Sequence, residues 1–198
     1  PQNVYTPDGT IAKESIFDFC KDYEKKIEKL GGLDLTLVEF GPSGNLAFNE
    51  PGSQINSSTR LMLLGSESRH NFAKLFHSNE AVPHSAITMG ISTLLGAKKV
   101  IVVGWGETIS PYVRQAIEAP ASDTVPASFL QSHKESKFVL DLSSAEHLTR
   151  LSTPWLVTSC EWDDKLIRRA IVWLCRITGK PILKLTNKDY NDNGLSEL

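Results

Sequence analysis

The strongest constraint on the fold is an unbroken run of β-branched residues, Val100-Ile101-Val102-Val103, set between Lys99 and Gly104. An amphipathic helix or a half-solvated strand interleaves apolar with polar positions. A continuous run therefore predicts a strand covered on both faces, as in a parallel sheet flanked by helices. The surrounding segments support that reading. Ile16, Cys20, Tyr23, Ile27 and Leu30 recur at helical spacing, with Thr10 placed to cap the helix and Gly31-Gly32 to end it. Leu33 to Phe40 reads as a strand in which Leu33, Leu35 and Leu37 alternate against Asp34 and Thr36. Further strands are expected at Arg60 to Leu64, Ala86 to Met89 and Phe138 to Leu142. Helices are expected from Ser66 to about Phe76, Ile91 to Leu95, Thr108 to Ala119 and Ser128 to Ser132. In the tail, Trp155 to Val157 and Pro181 to Leu185 read as short strands. Between them lies a helix capped by Asp163, with Ile167, Ala170, Ile171, Leu174 and Ile177 on one face and Gly179 at its end. Strand and helix in series give an α/β, Rossmann-like fold with a mostly parallel sheet flanked by helices.

Composition narrows the function classes. At 198 residues and 40% apolar the chain can close a core without metal or disulfide staples. A net charge of −2 leaves no basic footprint for nucleic acid. No apolar run reaches the roughly 18 residues of a spanning helix, so no membrane partner is expected. The polar start of the chain does not read as a signal peptide. Cys20, Cys160 and Cys175 are widely spaced, with no C-x-x-C pair, as expected of reduced thiols in a cytoplasmic protein. His70, His77 and His84 are interrupted by Asn79 and Pro83, and no residue group has metal-ligand spacing, so no metal is expected.

In a parallel sheet, ligands sit at the carboxyl ends of the strands. That directs attention to Gly41 to Pro51, Thr88 to Ser92 and Gly104 to Ser110. The Gly-, Pro-, Asn- and Ser-rich stretch from Gly41 to Ser58 far exceeds a typical connection of about 4–6 residues, which marks it as functional. Gly104-Trp105-Gly106 reads either as a phosphate cradle or as a plain strand-to-helix turn. The third glycine of the dinucleotide fingerprint is replaced by Ile109. Gly41-Pro42-Ser43-Gly44 lacks the G-x-S-x-G pattern of a serine hydrolase.

Several longer runs resemble the glucosamine-6-phosphate deaminase/isomerase family. They are Tyr23-Glu24-Lys25-Lys26-Ile27, Gly31-Gly32-Leu33-Asp34-Leu35 and Gly44-Asn45-Leu46-Ala47-Phe48-Asn49-Glu50-Pro51-Gly52-Ser53. Ser58-Thr59-Arg60, Ala86-Ile87-Thr88-Met89-Gly90, Thr93-Leu94-Leu95-x-Ala97 and Pro126-Ala127-Ser128-Phe129-Leu130-Gln131-x-His133 continue the resemblance in order. It implies conversion of glucosamine 6-phosphate to fructose 6-phosphate and ammonia, with no redox cofactor and no metal. It also implies a sugar phosphate ligand and a homo-oligomer.

Carried over residue by residue, the resemblance keeps the motif glutamate as Glu50. It puts Asn45 at the ring-opening histidine and Ser43 at the aspartate that assists it. Asparagine cannot take up and return a proton near neutral pH as imidazole does. The phosphate arginine falls at Lys74 and the phosphate lysine at Ile109. Arg60 falls at an arginine that some members use for an allosteric phosphate, whose companion lysine falls at Met62. Gly44, Gly90 and Gly106 are the strand-end glycines expected at the ligand. The family's glycine-rich phosphate loop and proton-transfer aspartate have no counterpart in this sequence.

Residues 1–150 therefore read as the carboxyl-terminal part of a larger deaminase-like domain. Residues 151–198 read as an α/β extension or linker, whose Ser159-Cys160-Glu161-Trp162 resembles proteins that carry a further, deacetylase-like domain. The expectation is a protein of amino-sugar metabolism impaired in its own deamination. Two alternatives are a non-catalytic sugar-phosphate-binding or regulatory module, and a lactonase-type hydrolase with Glu50 or His133 acting on water.

Overall fold

The computed structural model describes residues 3–198. Its centre is a three-stranded parallel sheet of β1 (Leu35–Glu39), β4 (Lys99–Gly104) and β5 (Ser136–Leu140), in the order β1-β4-β5. β2 (Arg60–Leu63) and β3 (Ser85–Thr88) are not part of it and form a separate antiparallel pair. The helices are α1 (Ile16–Lys29), α2 (Ser66–Phe72), α3 (Ile91–Leu95), α4 (Ser110–Glu118), α5 (Leu142–Ala145), α6 (Thr149–Ser152), α7 (Asp164–Thr178) and α8 (Asn187–Asn191). The chain divides into a larger unit ending at Ala145 and a smaller unit, Glu146–Leu198. The larger unit is Rossmann-like.

Four expectations are corrected. α1 begins at Ile16, after a 3₁₀ turn at Lys13–Ser15, and not at Thr10. Thr10 donates both its amide (2.8 Å) and its hydroxyl (2.7 Å) to Asp8 Oδ1, which uses the side chain in a local turn and takes it away from any helix end. β5 starts and ends two residues earlier than read, because Asp141 accepts the Ser144 amide (2.8 Å) and turns the chain into α5. In the extension, Pro154–Leu156 and Ile182–Lys184 are 3₁₀ turns, and among the described residues the smaller unit has no strand. An apolar triplet without a neighbouring strand leaves its backbone groups unpaired, and a local turn satisfies some of them.

The fourth correction concerns the sheet. In β1 the buried residues are Thr36 and Val38, while Leu35 and Leu37 are exposed. The register aligns Thr36 with Val100 and Ser136, and Val38 with Val102 and Phe138. This set forms the closed face, on which Val100 and Val102 are fully buried. The Thr36 hydroxyl donates to the Leu94 carbonyl of α3 (3.5 Å), and Phe40 and Phe138 pack with ring centroids 6.4 Å apart. Leu94, Val113, Ala116 and Leu130 are also buried. The opposite face, which carries Leu35, Leu37, Ile101 and Val139, is not covered in the same way.

The smaller unit has its own core of Trp155, Ala170, Leu174 and Leu195, with Trp162 and Trp173 against it. Trp155 and Trp173 meet edge to face at 5.4 Å. α7 is capped as read, with Asp163 accepting the Leu166 amide (2.7 Å) and Gly179 left-handed at its end. At α8, Thr186 and Asp189 form a capping box, and Lys180 Nζ lies 2.7 Å from Asp189.

Candidate functional site

The carboxyl end of β1 leads into the loop that carries the candidate residues. Phe40 still pairs with β4, donating its amide to the Val103 carbonyl (2.7 Å). The chain then doubles back, with the Gly41 amide donating to the Asn45 carbonyl (2.8 Å). Asn45 is the staple of this turn. Its Nδ2 donates to the Ala47 carbonyl (2.8 Å), and its Oδ1 accepts from the Ser43 hydroxyl (3.2 Å) and amide (3.4 Å). Asn45 is 4% exposed and Ser43 7%. A methyl on Gly41 would run into the Asn45 amide group. Ala47, whose carbonyl receives Asn45, is left-handed at φ 50°, a costly conformation for a non-glycine residue. Gly44 is also left-handed, and its carbonyl accepts from the Ala127 amide (2.9 Å).

The second half of the loop is anchored by Asn49, which is fully buried. Its Nδ2 donates to the carbonyls of Leu46 (2.9 Å) and Met89 (2.8 Å), and its Oδ1 accepts from Arg60 Nη1 (2.9 Å). Arg60 also donates to the Ser53 hydroxyl (2.9 Å), and partial burial pulls its guanidinium below the usual arginine range. The Phe48 amide donates to the Thr88 hydroxyl (3.3 Å). The motif loop is thus tied to the Thr88–Met89 turn at the end of β3, although β3 belongs to the antiparallel pair. Glu50 is half-buried, and its carboxylate accepts the Gly65 amide (3.4 Å) at the start of α2. Lys74 is exposed in the 3₁₀ turn that follows α2.

The remaining candidates lie at β4 and α3. Ile109 is buried, and a methyl on Gly104 would sit 2.9 Å from its Cδ1. Gly106 is left-handed and donates its amide to the Asp141 carboxylate (3.2 Å). Ser144 and Gly106 together hold the Asp141 carboxyl below the usual carboxylate range. A carboxylate on that amide is the wrong partner for phosphate. Gly90 begins α3 against the backbone of Ser57 and Ser58. His133 accepts the Glu135 amide at Nδ1 (3.1 Å), so its Nε2 carries the proton that faces the Ala97 carbonyl (2.8 Å). Both nitrogens are occupied by backbone, which removes His133 as a base toward water.

Two residues of this site, Asn49 and Asp141, escaped the sequence reading. Asn49 lies inside the quoted motif, and two of its three partners, Arg60 and Met89, lie outside that motif. Asp141 followed three residues later by Ser144 is a local helix-start signal. Among the described residues, no group of His, Cys, Asp and Glu could hold a metal, and no helix is long and apolar enough to cross a membrane.

This arrangement defines a class, the Rossmann-like α/β fold found in sugar-phosphate deaminases and lactonases. A solved monomeric glucosamine-6-phosphate deaminase superposes with a TM-score of 0.69 at 32% identity, over 72% of this chain and 58% of that one. The 6-phosphogluconolactonase of Trypanosoma cruzi shares the fold, with a TM-score of 0.54 at 21% identity. No family profile matches the chain. Within that class the sequence is similar to glucosamine-6-phosphate deaminases. It is 37% identical over 149 residues to the enzyme of Rhodopirellula baltica, covering 75% of this chain and 59% of the relative. A glucosamine-6-phosphate deaminase-like protein of Bacteroides thetaiotaomicron is 59% identical over 197 residues, the whole of this chain and 30% of that protein. The chain thus spans about three fifths of the deaminases it matches, and less of the longer relative.

Proposed function

We propose that this chain forms the sugar-phosphate-binding part of a cytoplasmic glucosamine-6-phosphate deaminase-like protein whose own deamination is impaired. One observation carries the reading. At the motif position where the resemblance places a ring-opening histidine, the Asn45 amide is buried and bonded to Ser43 and Ala47. A group spent on holding its own loop cannot shuttle a proton, and losing positioned acid–base help costs about 10²–10⁴ in rate. Buried Ile109, in place of the phosphate lysine, supports the same reading from a second strand end. A regulatory or purely binding role fits this loop better than lactone hydrolysis, because His133 is held by backbone. The same reading includes a homo-oligomer and a connection through residues 151–198 to a further domain.

The test is ammonia release from glucosamine 6-phosphate by the longest natural protein that contains this sequence. The expected result is turnover at or near background, with sugar phosphate binding retained. Asn45→His combined with Ile109→Lys is expected to raise ammonia release measurably. Ordinary deaminase turnover by the unmodified protein overturns the proposal.

A further inference from the structure

A cavity of about 620 Å³ lies between α1 and β2, within the larger unit. Its walls are apolar, with Ile16, Phe17 and Cys20 on α1 and Leu61 on β2. Burial and the neighbouring Glu24 push the Cys20 thiol up, so it stays uncharged at neutral pH and serves as apolar wall. Apolar walls with a few placed polar groups, at this size, are the make-up of a small-molecule site. Arg60 also lines the cavity, but its guanidinium is already bonded to Asn49, Ser53 and the Ser58 carbonyl.

The two ends of the cavity differ in charge. Lys13 marks one end, in the 3₁₀ turn before α1, and Glu24 marks the other. Ile16 to Glu24 is two turns of helix, which sets about 12 Å between them. Lys13 and Lys21 are exposed, and among the described residues neither is held in a salt bridge. At the far end Glu24 Oε1 accepts the Thr59 amide (2.7 Å) and the Thr93 hydroxyl (2.6 Å). Thr59 is 4% exposed, and its hydroxyl has no hydrogen-bond partner. Folded proteins pair nearly all their buried hydroxyls, because an unpaired one has lost its water for nothing.

We propose that this cavity binds an amphipathic carboxylate that carries a hydroxyl at the far end of an elongated apolar body. The carboxylate lies toward Lys13, with Lys21 adding positive potential. The body covers Phe17, Cys20 and Leu61, and the terminal hydroxyl gives Thr59 its missing partner. The reverse orientation would set a carboxylate against Glu24. A sugar phosphate is the wrong ligand here, because its ring hydroxyls would leave water for apolar walls that cannot bond them. The site is separate from the Asn45 loop and stands or falls independently of whether the protein deaminates.

Calorimetric titration of the longest natural protein that contains this sequence tests the proposal, with ω-hydroxydodecanoate, dodecanoate and dodecanol as probes. Saturable binding of ω-hydroxydodecanoate is expected, about ten-fold tighter than that of dodecanoate. Thr59→Val is expected to abolish that preference, with the dodecanoate affinity and the urea midpoint close to those of the parent. Lys13→Glu combined with Lys21→Glu is expected to weaken both carboxylates about ten-fold and to leave dodecanol unchanged. No saturable binding, equal affinity for the two carboxylates, or a preference that survives Thr59→Val overturns the proposal. So does a lysine variant that weakens dodecanol as much as the carboxylates, or weakens none of the three. A clear fall in the urea midpoint of Thr59→Val would show that the hydroxyl is already partnered in the folded protein. Competition by glucosamine 6-phosphate would assign the cavity to the sugar-phosphate site, and either result overturns the proposal as well.

Discussion

The two faces of the parallel sheet are built from the same strands, yet the more apolar alternation of β1 is the exposed one. Thr36 and Val38 are buried, with Val100 and Val102 beside them, whereas Leu35 and Leu37 stand in solvent next to Ile101. The difference shows that apolar alternation in a strand does not by itself say which of its faces the fold covers. The closed face carries a threonine without penalty because its hydroxyl has a partner in α3. The open face carries leucines that leave half or more of their surface in water.

Matched substitutions on the two faces test that contrast most severely. Val102→Asp places an unpaired charge in a fully buried site and is expected to cost more than about 4 kcal/mol, enough to prevent stable folding. Leu37→Asp in the same chain is expected to change stability by no more than about 0.5 kcal/mol. Urea unfolding followed by circular dichroism compares them, and similar losses would erase the distinction. A milder pair sharpens it. Val100→Ala removes two buried methyl groups and is expected to cost about 2 kcal/mol, whereas Val139→Ala is expected to cost less than about 0.5 kcal/mol.

The smallest effect comes from the smaller unit, which has no sheet among the described residues. Bonds from Lys180 and Thr186 pull the Asp189 carboxyl down to about 2. A folded-state value below the unfolded one means that the stabilisation is complete above the unfolded value of about 4 and is lost as pH falls toward 2. An NMR titration of Asp189 is expected to show the low midpoint. Asp189→Asn is expected to flatten the acid dependence of this unit between those limits.

The sequence reveals these regions unevenly. Val100 to Val103 could be read as a sheet strand because four β-branched residues in a row fit little else. The alternation in β1 was equally plain, but a period of two cannot say which set is covered, since the cover comes from residues far along the chain. Trp155 to Val157 and Pro181 to Leu185 misled for a different reason. Three or four apolar residues suit a strand or a 3₁₀ turn equally, and only a neighbouring strand would decide. The motif from Gly44 to Ser53 located the loop, and Glu50 and Asn45 are on it. What could not be read was how the loop is held. The buried amide of Asn49 reaches Met89 and Arg60, and the guanidinium of Arg60 is spent on Asn49 and Ser53.

Gly90 carries a consequence for how this protein can change over time. A β-carbon there would occupy the space of the Ser57 and Ser58 carbonyls. The Ser57 carbonyl cannot withdraw, because it accepts both the amide (2.9 Å) and the hydroxyl (2.7 Å) of Ser92. Gly9, by contrast, has nothing within 4 Å of the same added atom. Two glycines of one chain thus stand at opposite ends of evolvability: drift can rewrite Gly9 freely, while Gly90 is closed to every other amino acid until the turn facing it is rebuilt.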